Sequence, residues 1–106
     1  MAARNEVYLT GRVAAAPDER ELPSGDSVVT VRLIVDREGT TATRSSQRVD
    51  TIDCVAWTAR LQRTVRRWEA GDEVEVSGAL RRRFYRSADG PRSRFEVELA
   101  AARRPR

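Results

Sequence analysis

The chemistry in this sequence is concentrated in one short run, Arg81-Arg82-Arg83-Phe84-Tyr85-Arg86, with Arg92 and Arg94 close behind. Guanidinium groups grip phosphate oxygens through a planar fork of donors, and the same plane can lie flat on an aromatic base. Rings placed among them add stacking surface, a mixture that suits an unpaired nucleic-acid strand: a flexible polyanion with exposed flat faces. Residues 81–94 hold six arginines against one acid, Asp89. Alternation along a strand sends Tyr85 outward with Arg81 and Arg83, and sends Phe84 inward with Leu80. A second aromatic candidate is Trp57, at the end of an alternating run, where a ring either stacks on a ligand or packs an apolar face.

Other chemistries lack their residues. The chain has no His, so the usual general base and imidazole metal ligand are missing. Cys54, the lone cysteine, cannot build a structural zinc site or an internal disulfide, which fits a reducing, cytoplasmic setting. On an alternating run Asp50 and Asp53 point to opposite faces, and no Gly-rich phosphate cradle appears. No turnover, metal, cofactor or small-molecule substrate is expected.

Charge is unevenly spread. All 20 basic residues are Arg, and the formal net charge is +4. Residues 1–80 carry 11 Arg against 13 acids, whereas residues 81–106 carry 9 Arg against Asp89, Glu96 and Glu98. A cationic end on a near-neutral body points to an anionic partner, most often nucleic acid. No apolar run reaches the ~20 residues of a membrane span, and no basic amphipathic helix suggests a membrane surface.

Positioning such residues is the task of a small β-rich domain. Residues 6–13 alternate as a first strand, with Gly11 marking a bulge or bend. Residues 14–25 read as a loop with a short strand in the middle, and the β-branched residues 27–36 as a strong strand. Residues 39–47 lack periodicity and read as a flexible loop. The next strand, residues 49–57, puts Ile52, Cys54 and Ala56 on one face and Thr51, Asp53, Val55 and Trp57 on the other. A helix over residues 58–69 follows, capped by Thr58 and closed at Gly71, with Leu61, Val65 and Trp68 in the core. Val74, Val76 and Leu80 face inward on the next strand. A hairpin spans residues 81–94 with its tip at residues 88–91, and the last strand, residues 94–100, turns Phe95, Val97 and Leu99 inward. Five strands with one helix between the third and fourth is the order of an OB-fold, an all-β, five-stranded Greek-key barrel. One domain fills residues 1–100, and residues 101–106 form a short, frayed, basic tail.

The residues also resemble the bacterial single-stranded DNA-binding protein (SSB) family. The likeness lies in Asn5-Glu6-Val7-Tyr8-Leu9-Thr10-Gly11-Arg12-Val13, in Pro17-Asp18-Glu19-Arg20 with Pro23-Ser24-Gly25, and in Val55-Ala56-Trp57. It continues through residues 71–80, Gly-Asp-Glu-Val-Glu-Val-Ser-Gly-Ala-Leu, and through Arg83-Phe84-Tyr85 with Asp89-Gly90. The resemblance implies an OB-fold that binds single-stranded DNA without sequence preference during replication, recombination or repair. It also implies a nucleoid-associated homo-oligomer, a tetramer first and a dimer as alternative. Trp57 and Tyr85 fall on the family's stacking positions, whereas Thr51 and Gly39 stand at or near positions where it usually has another aromatic. A long linker and acidic tail are also missing, which points to a short accessory member or to a core whose tail has been removed. On this reading the nucleic-acid-binding residues are Arg12, Arg20, Arg32, Arg48, Trp57, Arg81, Arg83, Tyr85 and Arg86. Tyr8 is expected at a subunit contact. A replisome or primosome adaptor and an RNA-binding OB domain remain open as alternatives.

Overall fold

A computed structural model describes residues 1–39 and 46–105; the loop expected over residues 39–47 falls mostly outside them. The order is β1 (Val7–Val13), β2 (Asp18–Glu21), β3 (Ser27–Asp36), β4 (Val49–Ala56), α1 (Ala59–Arg66), β5 (Glu73–Ser87) and β6 (Gly90–Arg103). The sheet runs β1-β5-β6-β4-β3-β2, and β1 also pairs with β3. That extra pairing, Arg12 with Ile34 and Val13 with Leu33, closes β1, β5, β6, β4 and β3 into a five-stranded barrel. β2 is the short strand expected within the first loop, and it pairs with the outer edge of β3. The expected OB architecture is therefore present, with the helix between β4 and β5.

Closure depends on β1 changing partners at Arg12, which pairs with Glu73 of β5 and Ile34 of β3. At Gly11 a Cβ would lie 2.5 Å from the Ile34 carbonyl oxygen, so only glycine admits so close an approach. Inside the barrel pack Val13, Val29, Val31, Leu33, Cys54, Val74, Val76, Val97 and Leu99. On α1, Thr58 caps the start as expected, its hydroxyl accepting from the Leu61 amide at 3.3 Å. The helix ends at Arg66, short of the expected Glu69, and Val65 and Trp68 still close the core. Gly71, expected as the helix C-cap, instead donates its amide to the Val13 carbonyl at 2.8 Å.

Two expectations need correcting. Leu80, Phe84 and Phe95 were expected in the core, yet they are 44%, 74% and 57% exposed. Alternation gives their common face correctly, since Arg82 pairs with Phe95, and Leu80 with Val97. However, β5 and β6 outrun the barrel: β1 accompanies β5 only as far as Gly78, Val97 opposite Leu80 is the last core residue of the pair, and beyond it the inward face is uncovered. Val55 points outward as expected but is buried, at 2% exposure, beneath a groove on the outer wall. The tail is not frayed from residue 101: β6 pairs through Arg103 with Glu75, and Arg103 and Arg104 bind Glu75 and Asp72 at 2.9 and 3.2 Å. A shift between Ser77 and Gly78 leaves Ala100 unmatched on β6, which turns Ala102 rather than Ala101 toward the core.

Candidate nucleic-acid interface

The outer wall formed by β2, β3, β4 and the β5–β6 hairpin gathers most of the expected residues; this is the front face. One groove of about 340 Å³ holds Arg20, Thr30, Arg32, Asp53, Arg94 and Glu96. Another of about 410 Å³ runs past Val55 and Trp57 to residues 81–84 and meets Glu96 and Glu98. A small groove bridges them, floored by Leu22, Val28 and Val55 and edged by Arg20, Arg83 and Arg94. Glu96 lines all three.

Trp57 is placed by the buried Gln62 of α1. The Gln62 amide donates to the carbonyls of Ser27, Ala56 and Trp57 at 2.9, 3.1 and 3.2 Å, which ties the helix to the ends of β3 and β4. Arg83 lies 5.4 Å from the centre of the Trp57 ring, and Arg94 lies 5.8 Å from that of Tyr85. Both contacts fall within cation–π range. Tyr85 is 46% exposed, so its ring remains available for stacking.

Much of the front arginine charge is already answered. Arg83 bonds Glu96 at 2.5 Å and Arg81 meets Glu98 at 3.2 Å. Arg94 adds a longer contact to Glu96 at 4.0 Å. Arg32 holds Asp53 at 2.9 Å, so that acid does not face the groove alone. Glu96 points outward as expected but is only 4% exposed, because Arg83 and Arg94 border it. Among the described residues no carboxylate pairs with Arg20, Arg48 or Arg86.

The structure thus brings together Arg20, Arg32, Trp57, Arg81, Arg83 and Tyr85 on one face. Arg12 sits apart at the β1–β3 seam, paired with Asp36 at 3.1 Å. Arg48 lies just before β4, and its carbonyl accepts from the Arg37 amide. Arg86 shares the opposite, back face of the hairpin with its partner Pro91. Cys54 is a packing residue: burial first, then the charges of Asp53 and Glu96, push its thiol up to about 12. Among the described residues no cluster of three acids or thiols is placed to hold a metal ion. No described helix is long and apolar enough to cross a membrane.

With this geometry in hand, comparison with known proteins is decisive. The chain matches the Single-strand binding protein family over residues 4–104. It belongs to that family. Single-stranded DNA-binding protein A of Bacillus subtilis is 34% identical over 98 residues, covering 92% of this chain and 55% of the relative. Single-stranded DNA-binding protein B of the same organism is 31% identical over 86 residues, covering 81% of this chain and 75% of the relative. The chain thus spans about half the length of the first and three quarters of the second. A solved structure titled Plasmodium falciparum SSB complex with ssDNA superposes with a TM-score of 0.78 at 23% identity, covering 97% of this chain and 94% of that one. That likeness establishes the shared fold.

Within this member of the single-strand binding family, sequence reasoning missed Gln62 and Arg94. Gln62 looked like one more polar helix residue, because its three carbonyl partners come from two strands. Arg94 was hidden by the turn: the expected tip at residues 88–91 would set it opposite Tyr85, but the loop is only Ala88-Asp89, with Ser87 paired to Gly90, and Arg94 falls opposite Arg83.

Proposed function

We propose that this chain binds single-stranded DNA without sequence preference, protecting unpaired strands during replication, recombination or repair. It does so without turnover. The observation that supports this most is the front face: Trp57 lines a continuous series of grooves edged by Arg20, Arg32, Arg81, Arg83 and Arg94, and the exposed Tyr85 lies against Arg94 at their margin. The two rings stack on bases, each contributing roughly 1–3 kcal/mol. Arg20 and Arg48 supply net positive charge, while the paired arginines mainly shape the groove and orient the rings. Arg12 and Arg86 meet the strand where it leaves the front face.

The working form is a homo-oligomer, with a tetramer as the first reading and a dimer as the alternative. Tyr8, 78% exposed beside a shallow apolar pocket with Val76, Ala101 and Ala102, supports a subunit contact there. Its place of action is the cytoplasm, on the nucleoid.

The neutralised front arginines favour a second reading, an OB-type adaptor that binds proteins at a replication fork. Fluorescence of Trp57 in a Trp68→Phe variant separates the two. Quenching by a thymidine oligomer, with little response to duplex DNA or to oligo-uridine, is the expected result. Absence of quenching by any nucleic acid would overturn it in favour of the adaptor.

A further inference from the structure

The back face of the β5–β6 hairpin resembles a second binding surface more than a misplaced piece of core. Phe84 and Phe95 are 74% and 57% exposed, and Arg82 lies between them, 5.3 and 5.4 Å from the two ring centres. Ser93 holds that guanidinium in place, accepting from Nε at 3.2 Å and Nη2 at 3.0 Å. The ladder puts Arg86 and Pro91 on this same face and no acid beside them. Neither Arg82 nor Arg86 has a carboxylate partner among the described residues.

We propose that this back face is a second track for unpaired nucleotides, so that one strand runs along the front groove, crosses the edge of β5 and stacks on Phe84 and Phe95. The inference rests on the function proposed above and extends it. Three features favour a polynucleotide over other occupants. Exposed rings interleaved with unpaired arginines match its base faces and phosphates. A second copy of the chain meeting this surface symmetrically would bring two cationic patches together, with no acid in either to offset the repulsion. The path is also continuous: the groove beside Trp57 already reaches Arg82 and Phe84. Past Gly78, among the described residues, no strand covers the outer edge of β5, and Asn5 alone holds it, at Leu80.

The test compares thymidine oligomers of roughly 8 and roughly 35 nucleotides, one within and one well beyond the roughly 4–16 that a single OB-fold covers. Phe84→Ala with Phe95→Ala alters only exposed rings, so the barrel core is untouched. This double variant is expected to bind the long oligomer at least about tenfold more weakly, to lose much less on the short one, and to occlude fewer nucleotides per protomer on poly-dT. Phe84→Tyr with Phe95→Tyr is expected to restore long-oligomer binding. Equal losses on both lengths, or no loss on either, would overturn the second track and leave the front-face reading intact. A drop in assembled mass with affinities unchanged would overturn it in favour of a contact between copies. Failure of the unaltered chain to bind either oligomer would remove the proposed function itself, and this inference with it.

Discussion

The two faces of the β5–β6 hairpin draw on the same residue types and deploy them differently. On the front, Arg81 and Arg83 are tied to Glu98 and Glu96, and Arg94 sits between Tyr85 and Glu96. On the back, Arg82 lies between two phenylalanine rings and no acid answers it. Exposed ion pairs contribute little to stability. They do cancel each other's field, so a paired arginine attracts a distant phosphate far less than a free one. The count of arginines in residues 81–106 therefore overstates the charge available to a ligand, and alternation alone does not reveal which face carries it.

Removing one arginine from each face is the strongest way to break the comparison. Arg83→Met strips the buried Glu96 of its nearest cation and leaves it only the 4.0 Å contact to Arg94, a loss of about 3 kcal/mol for a broken buried pair. Arg82→Met loses solvent-exposed cation–π contacts and the exposed hydrogen bonds to Ser93, together about 1 kcal/mol. Urea unfolding reads both, and equal losses would show that the two arginines are held alike. Next in size is the loss of a front ring: Trp57→Ala is expected to weaken thymidine-oligomer binding by about 1–3 kcal/mol, measured by fluorescence anisotropy of a labelled strand. An unchanged affinity would make Trp57 a packing residue and shift the weight of binding to the back face.

A smaller effect comes from ion pairs on the barrel wall, away from the hairpin. Hydrogen bonds from Arg66 and Arg37 hold the carboxyl groups of Glu19 and Asp50 below their ordinary values of 4.5 and 3.8. The unfolded chain therefore takes up these protons first. The stability that the pairs contribute is whole above the ordinary values and is lost as pH falls through the lowered ones. Thermal unfolding followed from about pH 5 downward should show the midpoint falling, and Glu19→Gln with Asp50→Asn should make that fall shallower. An identical acid profile in the variant would contradict the assignment.

Local pattern made much of the fold legible. The alternation of Val74 and Val76, the Thr58 cap and the glycine bend at Gly11 each specify a local geometry, and those geometries are present. What stayed hidden depends on partners distant in sequence. Arg32 meets Asp53 from 21 residues away, and Arg66 meets Glu19 from 47. Phe84 and Phe95 failed for another reason: alternation assigns a face but not the length of the wall behind it. At the candidate site the rings Trp57 and Tyr85 were readable, whereas the neutralisation of Arg81 and Arg83 was not.

The decisive quantity is how steeply affinity for a long thymidine oligomer falls with added salt. Each phosphate contact on a single strand contributes about 0.7 to the log–log slope. If unanswered guanidinium groups draw the strand in, Arg82→Gln with Arg86→Gln flattens that slope by more than one unit. The charge-neutral pair Arg81→Gln with Glu98→Gln then leaves it nearly unchanged. The reverse pattern, or a nearly flat slope in the unaltered chain, would contradict the account.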